Sequence, residues 1–120
     1  MSKSKNEIPK LDINGLASEL GYSYLDAECG YWKDGADRIR SYDSMDNNYL
    51  KNCINFIDKG IKELKGELVT NDIKNLIGKI SNISTKEIKK SDIKYIKKEL
   101  TNLLKEKKVE IKHYKQIRNL

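Results

Sequence analysis

Between Met45 and Leu64 the chain reads MDNNYLKNCINFIDKGIKEL, and its apolar residues recur with a single period. Leu50, Cys53, Ile54, Ile57, Ile61 and Leu64 fall at helical spacing, while Lys51, Asn55, Asp58, Lys59 and Lys62 fall off it. Such a segment folds as a helix that buries one side and wets the other. Asp43, Ser44 and Asp46 place capping side chains and negative charge at its amino end, where free N–H groups need acceptors. A central amphipathic helix is therefore expected over 45–65.

The remaining segments are read against that helix. Residues 1–10 are polar, contain the single proline Pro9, and are expected to be a disordered lead-in. Residues 11–120 have the length of one domain with a modest core. Over 11–21, Ile13, Leu16, Ala17 and Leu20 share a helix face, with Asp12 as cap and Gly21 just past the end. Gly15 inside this helix costs ~1 kcal/mol relative to alanine, so the helix depends on tertiary packing.

Over 30–42, Tyr31-Trp32 and Arg38-Ile39-Arg40 flank the turn signal Asp34-Gly35, the pattern of a β-hairpin. Two strands alone are marginal in water, so the hairpin is expected to lie on the central helix, with Trp32 and Ile39 inward. Gly66 and Thr70-Asn71-Asp72 mark a break, after which Ile73, Leu76, Ile77, Ile80 and Ile83 predict a helix over 71–83. Ser84 and Glu87 have the spacing of a capping box.

Ser91 and Asp92 open a last helix over 91–118, lined by Ile93, Ile96, Leu100, Leu103 and Leu104 and then by Ile111, Tyr114 and Ile117. The fold class expected is α+β, mostly α. A small hairpin packs on the central helix, and further helices follow, including a long C-terminal one. About 27 residues of helix span roughly 40 Å, against about 35 Å for a round globule of this length. Either the helix breaks around Lys105–Lys108, or its tip packs on another copy and the chain is a homo-oligomer.

Composition narrows the chemistry. Cys29 and Cys53 form no disulfide framework, and a reduced, cytoplasmic setting is expected. No apolar run reaches the ~20 residues of a membrane span, and the first ten residues lack a secretory h-region, so no membrane partner is expected. The single histidine, His113, and two distant cysteines give no metal-ligand spacing. No nucleophile elbow or phosphate-binding glycine loop is present, and Asp26 and Glu28 look like ordinary surface acids. A non-enzymatic protein without cofactor or metal is expected.

Two surfaces are candidates for binding. Trp32, Arg38 and Arg40 combine an aromatic plane with two guanidinium groups suited to phosphate or carboxylate, and the arginines would share one face of an extended strand. Tyr49 and Asn52 lie at the edge of the central stripe beside them. The second surface is basic. Residues 84–120 carry 12 Lys or Arg against 5 Asp or Glu, so Lys94, Lys97, Lys98, Lys105, Lys108, Lys112 and Lys115 make a candidate nucleic-acid surface. They are equally what a solvated helix face looks like in a lysine-rich chain.

The segment YWKDGADRIRSYDSMDNNYLKNCINFID, residues 31–58, resembles a pattern in small proteins of phages and mobile elements. Trp32, Asp34, Gly35, Met45, Asp46, Leu50, Asn52 and Ile54 match it, while Tyr49 stands where the pattern has histidine, so no imidazole role carries over. The resemblance implies a hairpin–helix unit and a phage or prophage context. Small basic phage proteins of this kind act by binding. The resemblance implies no established activity; by analogy with such proteins, the function expected first is inhibition of a host or defence component, of anti-CRISPR or other anti-defence type. The partner would be that protein or its nucleotide or nucleic-acid ligand. Nucleic-acid binding through the last helix, and a structural role in which that helix pairs with another chain, are the alternatives.

Overall fold

The computed structural model describes residues 12–119; the expected lead-in at 1–10 lies outside them. Helix α1 spans Ile13–Glu19, two residues shorter at each end than expected, and buries Leu16 and Ala17. Asp12 caps it through its backbone carbonyl and not its side chain. Gly21, at φ +99°, closes a Schellman turn in which the Gly21 N–H donates to Ser18 at 3.0 Å and the Tyr22 N–H to Ala17 at 2.9 Å. A 3-10 turn over Ser23–Asp26 then leads to β1, Tyr31–Lys33, which pairs antiparallel with β2, Ile39–Ser41.

The hairpin loop is longer than a two-residue turn. The Asp34 carboxylate accepts from the N–H groups of Ala36 and Arg38 at 2.9 and 3.0 Å, and Asp37, not Gly35, takes the left-handed conformation at φ +64°. Those donors, together with the Arg38 guanidinium, hold the Asp34 carboxyl below its ordinary range. The register sets Trp32 opposite Arg40. Directly opposed residues share a sheet face, so Trp32 and Arg40 turn inward together. Ile39, expected inward, is 64% exposed on the other face.

A short turn over Tyr42–Ser44 enters helix α2, Asn47–Glu63, capped by Asp46, whose carboxylate accepts from the Tyr49 N–H at 2.8 Å. Leu50, Cys53, Ile57 and, just past the end, Leu64 are buried as the periodicity requires, with Ile54 and Ile61 packed beside them. Gly60 is buried too. A Cβ there would lie 3.0 Å from the Tyr24 hydroxyl and 3.1 Å from the Tyr22 ring, so its absence lets α2 approach the 22–24 turn closely.

Helix α3 spans Glu67–Ser81, not 71–83. Gly66 alone makes the break, and Thr70, Asn71 and Asp72 lie inside the helix, where the Thr70 hydroxyl donates to the Gly66 carbonyl at 3.2 Å. The helix ends two residues earlier because Asn82 adopts φ +54°. The Ser84–Glu87 capping box is present, opening only the single turn Thr85–Glu87.

Helix α4, Lys90–Arg118, is continuous over 29 residues, so the break considered at Lys105–Lys108 does not occur. Lys89 is its cap residue, and Ser91 lies within the helix. The molecule is not round but measures 54 × 24 × 23 Å, as long as its last helix requires. Helix α2 lies antiparallel along α4, as Asp58 against Lys108 and the Gly66 carbonyl against Lys97 show. Ile93, Ile96, Leu100, Leu104 and Ile111 are all buried within the chain itself.

Candidate functional site

Three arrangements bear on function: a buried ion pair that fixes the hairpin, a cavity beneath the hairpin, and a lysine edge along α4. The ion pair fills the gap in the α4 stripe. Lys107, only 5% exposed, stands between Leu104 and Ile111 on the inward side. Its ammonium donates to the Tyr31 carbonyl at 2.8 Å and to Glu110 at 3.2 Å, with the Ala27 and Glu28 carbonyls each at 3.5 Å. Glu110 in turn accepts from the Gly30 N–H at 3.0 Å and from the Tyr42 hydroxyl. Burial, and then the Glu110 hydrogen bond, push the Tyr42 phenol far above its usual range. The root of the hairpin is thereby tied to α4 by charge-assisted hydrogen bonds in a partly buried setting, with Lys107 itself out of water.

The cavity, of about 350 Å³, is enclosed by Tyr24, Trp32, Tyr49, Asn52, Cys53 and Phe56, with Lys33 and Asp34 at the hairpin side. Tyr24 and Trp32 stack with centroids 4.5 Å apart and planes at 4°. Arg40 lies over the Tyr49 ring, 4.4 Å from its centroid, a cation–π contact joining β2 to α2. At the floor, burial pushes the Cys53 thiol up to about 11, against the opposing influence of Arg40 and Lys107. That thiol is no nucleophile near neutral pH. Phe56 stands at the mouth, 59% exposed.

Charge on α4 is segregated around the helix. At 100° per residue, Lys90, Lys94, Lys97, Lys98, Lys105, Lys108, Lys112 and Lys115 fall within an arc of about 100°. Asp92, Glu99, Glu106 and Glu110 fall within an arc of about 40° on the other side of the apolar stripe. The lysine edge borders α2, where Lys51, Lys62 and Lys65 lie on the adjoining side of the helix and its end. Among the described residues, Asp58 is the one acid paired with it, 2.7 Å from Lys108. This edge runs ~37 Å from Lys90 to Lys115.

The residues expected to bind are thus divided. Trp32, Tyr49 and Asn52 do line one cavity, but Trp32 is core and offers no outward plane. Arg38 and Arg40, expected on one outward face, part company. Arg38 lies in the turn, its Nε 3.0 Å from Asp34, while Arg40 is spent on Tyr49. Asn52 makes no hydrogen bond to the hairpin among the described residues. All seven of the candidate lysines, Lys94, Lys97, Lys98, Lys105, Lys108, Lys112 and Lys115, lie on the single lysine edge. His113 is exposed, and no group of His, Cys, Asp or Glu among the described residues could hold a metal ion. No helix among them is long and apolar enough to cross a membrane.

Sequence reasoning missed Lys107, Glu110 and Phe56. A lysine at a stripe position with a glutamate three residues on was the available signal for the first two. An isolated phenylalanine on the polar side of an amphipathic helix was the signal for the third. Set against protein-family models, curated proteins and solved structures, the chain matches none of them.

Proposed function

We propose that this chain is a non-enzymatic nucleic-acid-binding accessory protein that holds the phosphate backbone along the lysine edge of α4 and the adjoining side of α2. The observation that carries the reading is charge segregation. Glu110 is placed by Lys107 and the hairpin root, but Asp92, Glu99 and Glu106 share its edge without that tie, which leaves the lysine edge free of α4 acids, as suits a polyanion. Lysine-dominated contacts position a backbone without reading bases, so binding is expected to be largely independent of sequence. Electrostatic binding of this kind releases counterions. The logarithm of affinity for a single-stranded oligonucleotide should therefore fall linearly with the logarithm of salt, with a slope of about −3 to −4 for four to six neutralised phosphates. Fluorescence anisotropy at several salt concentrations measures it. A flat salt response, or no binding at low salt, overturns the reading.

A second reading keeps the phage-type inhibitor of a host or defence protein. It is supported by the outer hairpin face, where Tyr31 and Ile39 stand exposed on a two-stranded ribbon anchored at its root. Replacing both with serine leaves the core intact and should abolish capture of such a protein. Unchanged capture by the folded variant removes this reading.

A further inference from the structure

We infer that the cavity beneath the hairpin accepts one base of a single-stranded nucleic acid whose phosphates lie on the lysine edge, an inference that rests on the reading above and specifies its ligand. Four observations lead to it. Phe56, the one phenylalanine of the chain, is 59% exposed at the cavity mouth, with Asn52 one turn earlier on the same side of α2. Aromatic side chains take any base by its π-face, and the unpaired Asn52 carboxamide offers both a donor and an acceptor to a base edge. The volume of about 350 Å³ suits a planar heterocycle with part of its sugar.

The charges at the cavity favour a neutral occupant. Lys33, the one cation among the described residues that line the cavity, lies 3.6 Å from Asp26 and 3.8 Å from Asp37. Asp34 is paired with Arg38, and Arg40 is held over the Tyr49 ring outside the lining, so the lining itself offers no unpaired cation to a phosphate. Lysines without a partner among the described residues stand on the outer side of α2 instead. Lys51 precedes Asn52 and Lys59 follows Phe56 by three residues, leading around the helix to the α4 edge. The path around the outside of α2 is about half its circumference, roughly 16 Å, which about five nucleotides cover even at duplex spacing. A base held in a duplex is stacked on both faces and cannot enter, so the site discriminates strandedness.

Trp32 is the one tryptophan of the chain and lines this cavity, so its emission reports occupancy directly. Titration of the full chain with oligothymidylate should quench Trp32 emission with the same saturation curve as anisotropy of the labelled strand. Phe56→Ala, at an exposed position, should weaken binding about tenfold, as loss of one stacked base does. Asn52→Ala should weaken it less, and a duplex of equal length should bind without quenching. Steeply salt-dependent binding with unchanged Trp32 emission and an unaffected Phe56→Ala variant overturns the base pocket while leaving the lysine edge standing. Absence of any binding at low salt overturns both.

Discussion

At the scale of single residues the decisive position is Lys107. A lysine in the middle of an apolar stripe is expensive to bury, and only the Tyr31 carbonyl, Glu110 and the neighbouring carbonyls make it tolerable. Lys107→Ala leaves the Tyr31 carbonyl without its donor and Glu110 with only the Gly30 and Tyr42 donors, which should cost about 2–3 kcal/mol, a sizeable share of a small domain's stability. Urea unfolding measures it, and a loss below about 1 kcal/mol would mean that the hairpin is held by other means. The cysteines give a second test. Cys29 is exposed and Cys53 buried, so alkylation near neutral pH should modify Cys29 alone until the chain is unfolded.

The same burial governs alkaline stability. The Cys53 thiol rises from its ordinary 9.0 to about 11, through burial first, and the Tyr22 phenol from 10.0 to about 12, through burial and then Glu63. Groups whose folded pKa lies above the unfolded one stabilise fully below the unfolded value and lose that contribution as pH rises through the folded one. The urea midpoint should therefore lose nothing through these groups up to pH about 9 and fall between about 9 and 12. A midpoint rising over that interval would contradict the burial of both groups.

At the scale of elements, Asp46 is the clearest case of local sequence specifying local structure. Its carboxylate accepts the Tyr49 N–H, so Asp46→Ala should cost about 1 kcal/mol in thermal or urea unfolding. The elements were legible where local spacing decides: the α2 stripe, the Gly21 turn and the Ser84–Glu87 box all follow from it. Legibility ended where tertiary partners decide. From sequence, Ile39 is expected inward with Trp32, but the observed register sets Arg40 opposite Trp32 and over Tyr49, and Ile39 faces outward. Thr70, Asn71 and Asp72 look like a loop by propensity, yet α3 packs through Ile73 and Ile77 and carries them as a polar side. The candidate site was legible in part. The lysine edge could be counted residue by residue, whereas the cavity joins the 22–24 turn, the hairpin and α2, whose proximity no spacing reveals.

At the scale of the whole molecule, the expectation of a round globule misjudged the last helix. The chain is elongated, with a Cα radius of gyration of 16.1 Å, so α4 has its own molecule to lie along for most of its length. Solution scattering should return a radius near that value and not near the ~14 Å of a spherical domain of this size. The elongation also has a functional consequence, because it extends the lysine edge over several phosphate spacings. Position of charge, and not its amount, is then what binding should depend on. The most direct measurement compares two variants of equal net charge by oligonucleotide anisotropy across a salt series. Lys98→Gln with Lys105→Gln removes two cations from the edge, and Tyr95→Glu with His113→Glu adds two anions on the other side of α4, each taking the formal charge from +6 to +4. Binding along the lysine edge predicts that the first pair lowers the salt slope by about 1.4 and weakens affinity, while the second leaves both near the parent's. Equal losses in the two variants would show that only net charge matters, and would contradict a defined phosphate-binding edge.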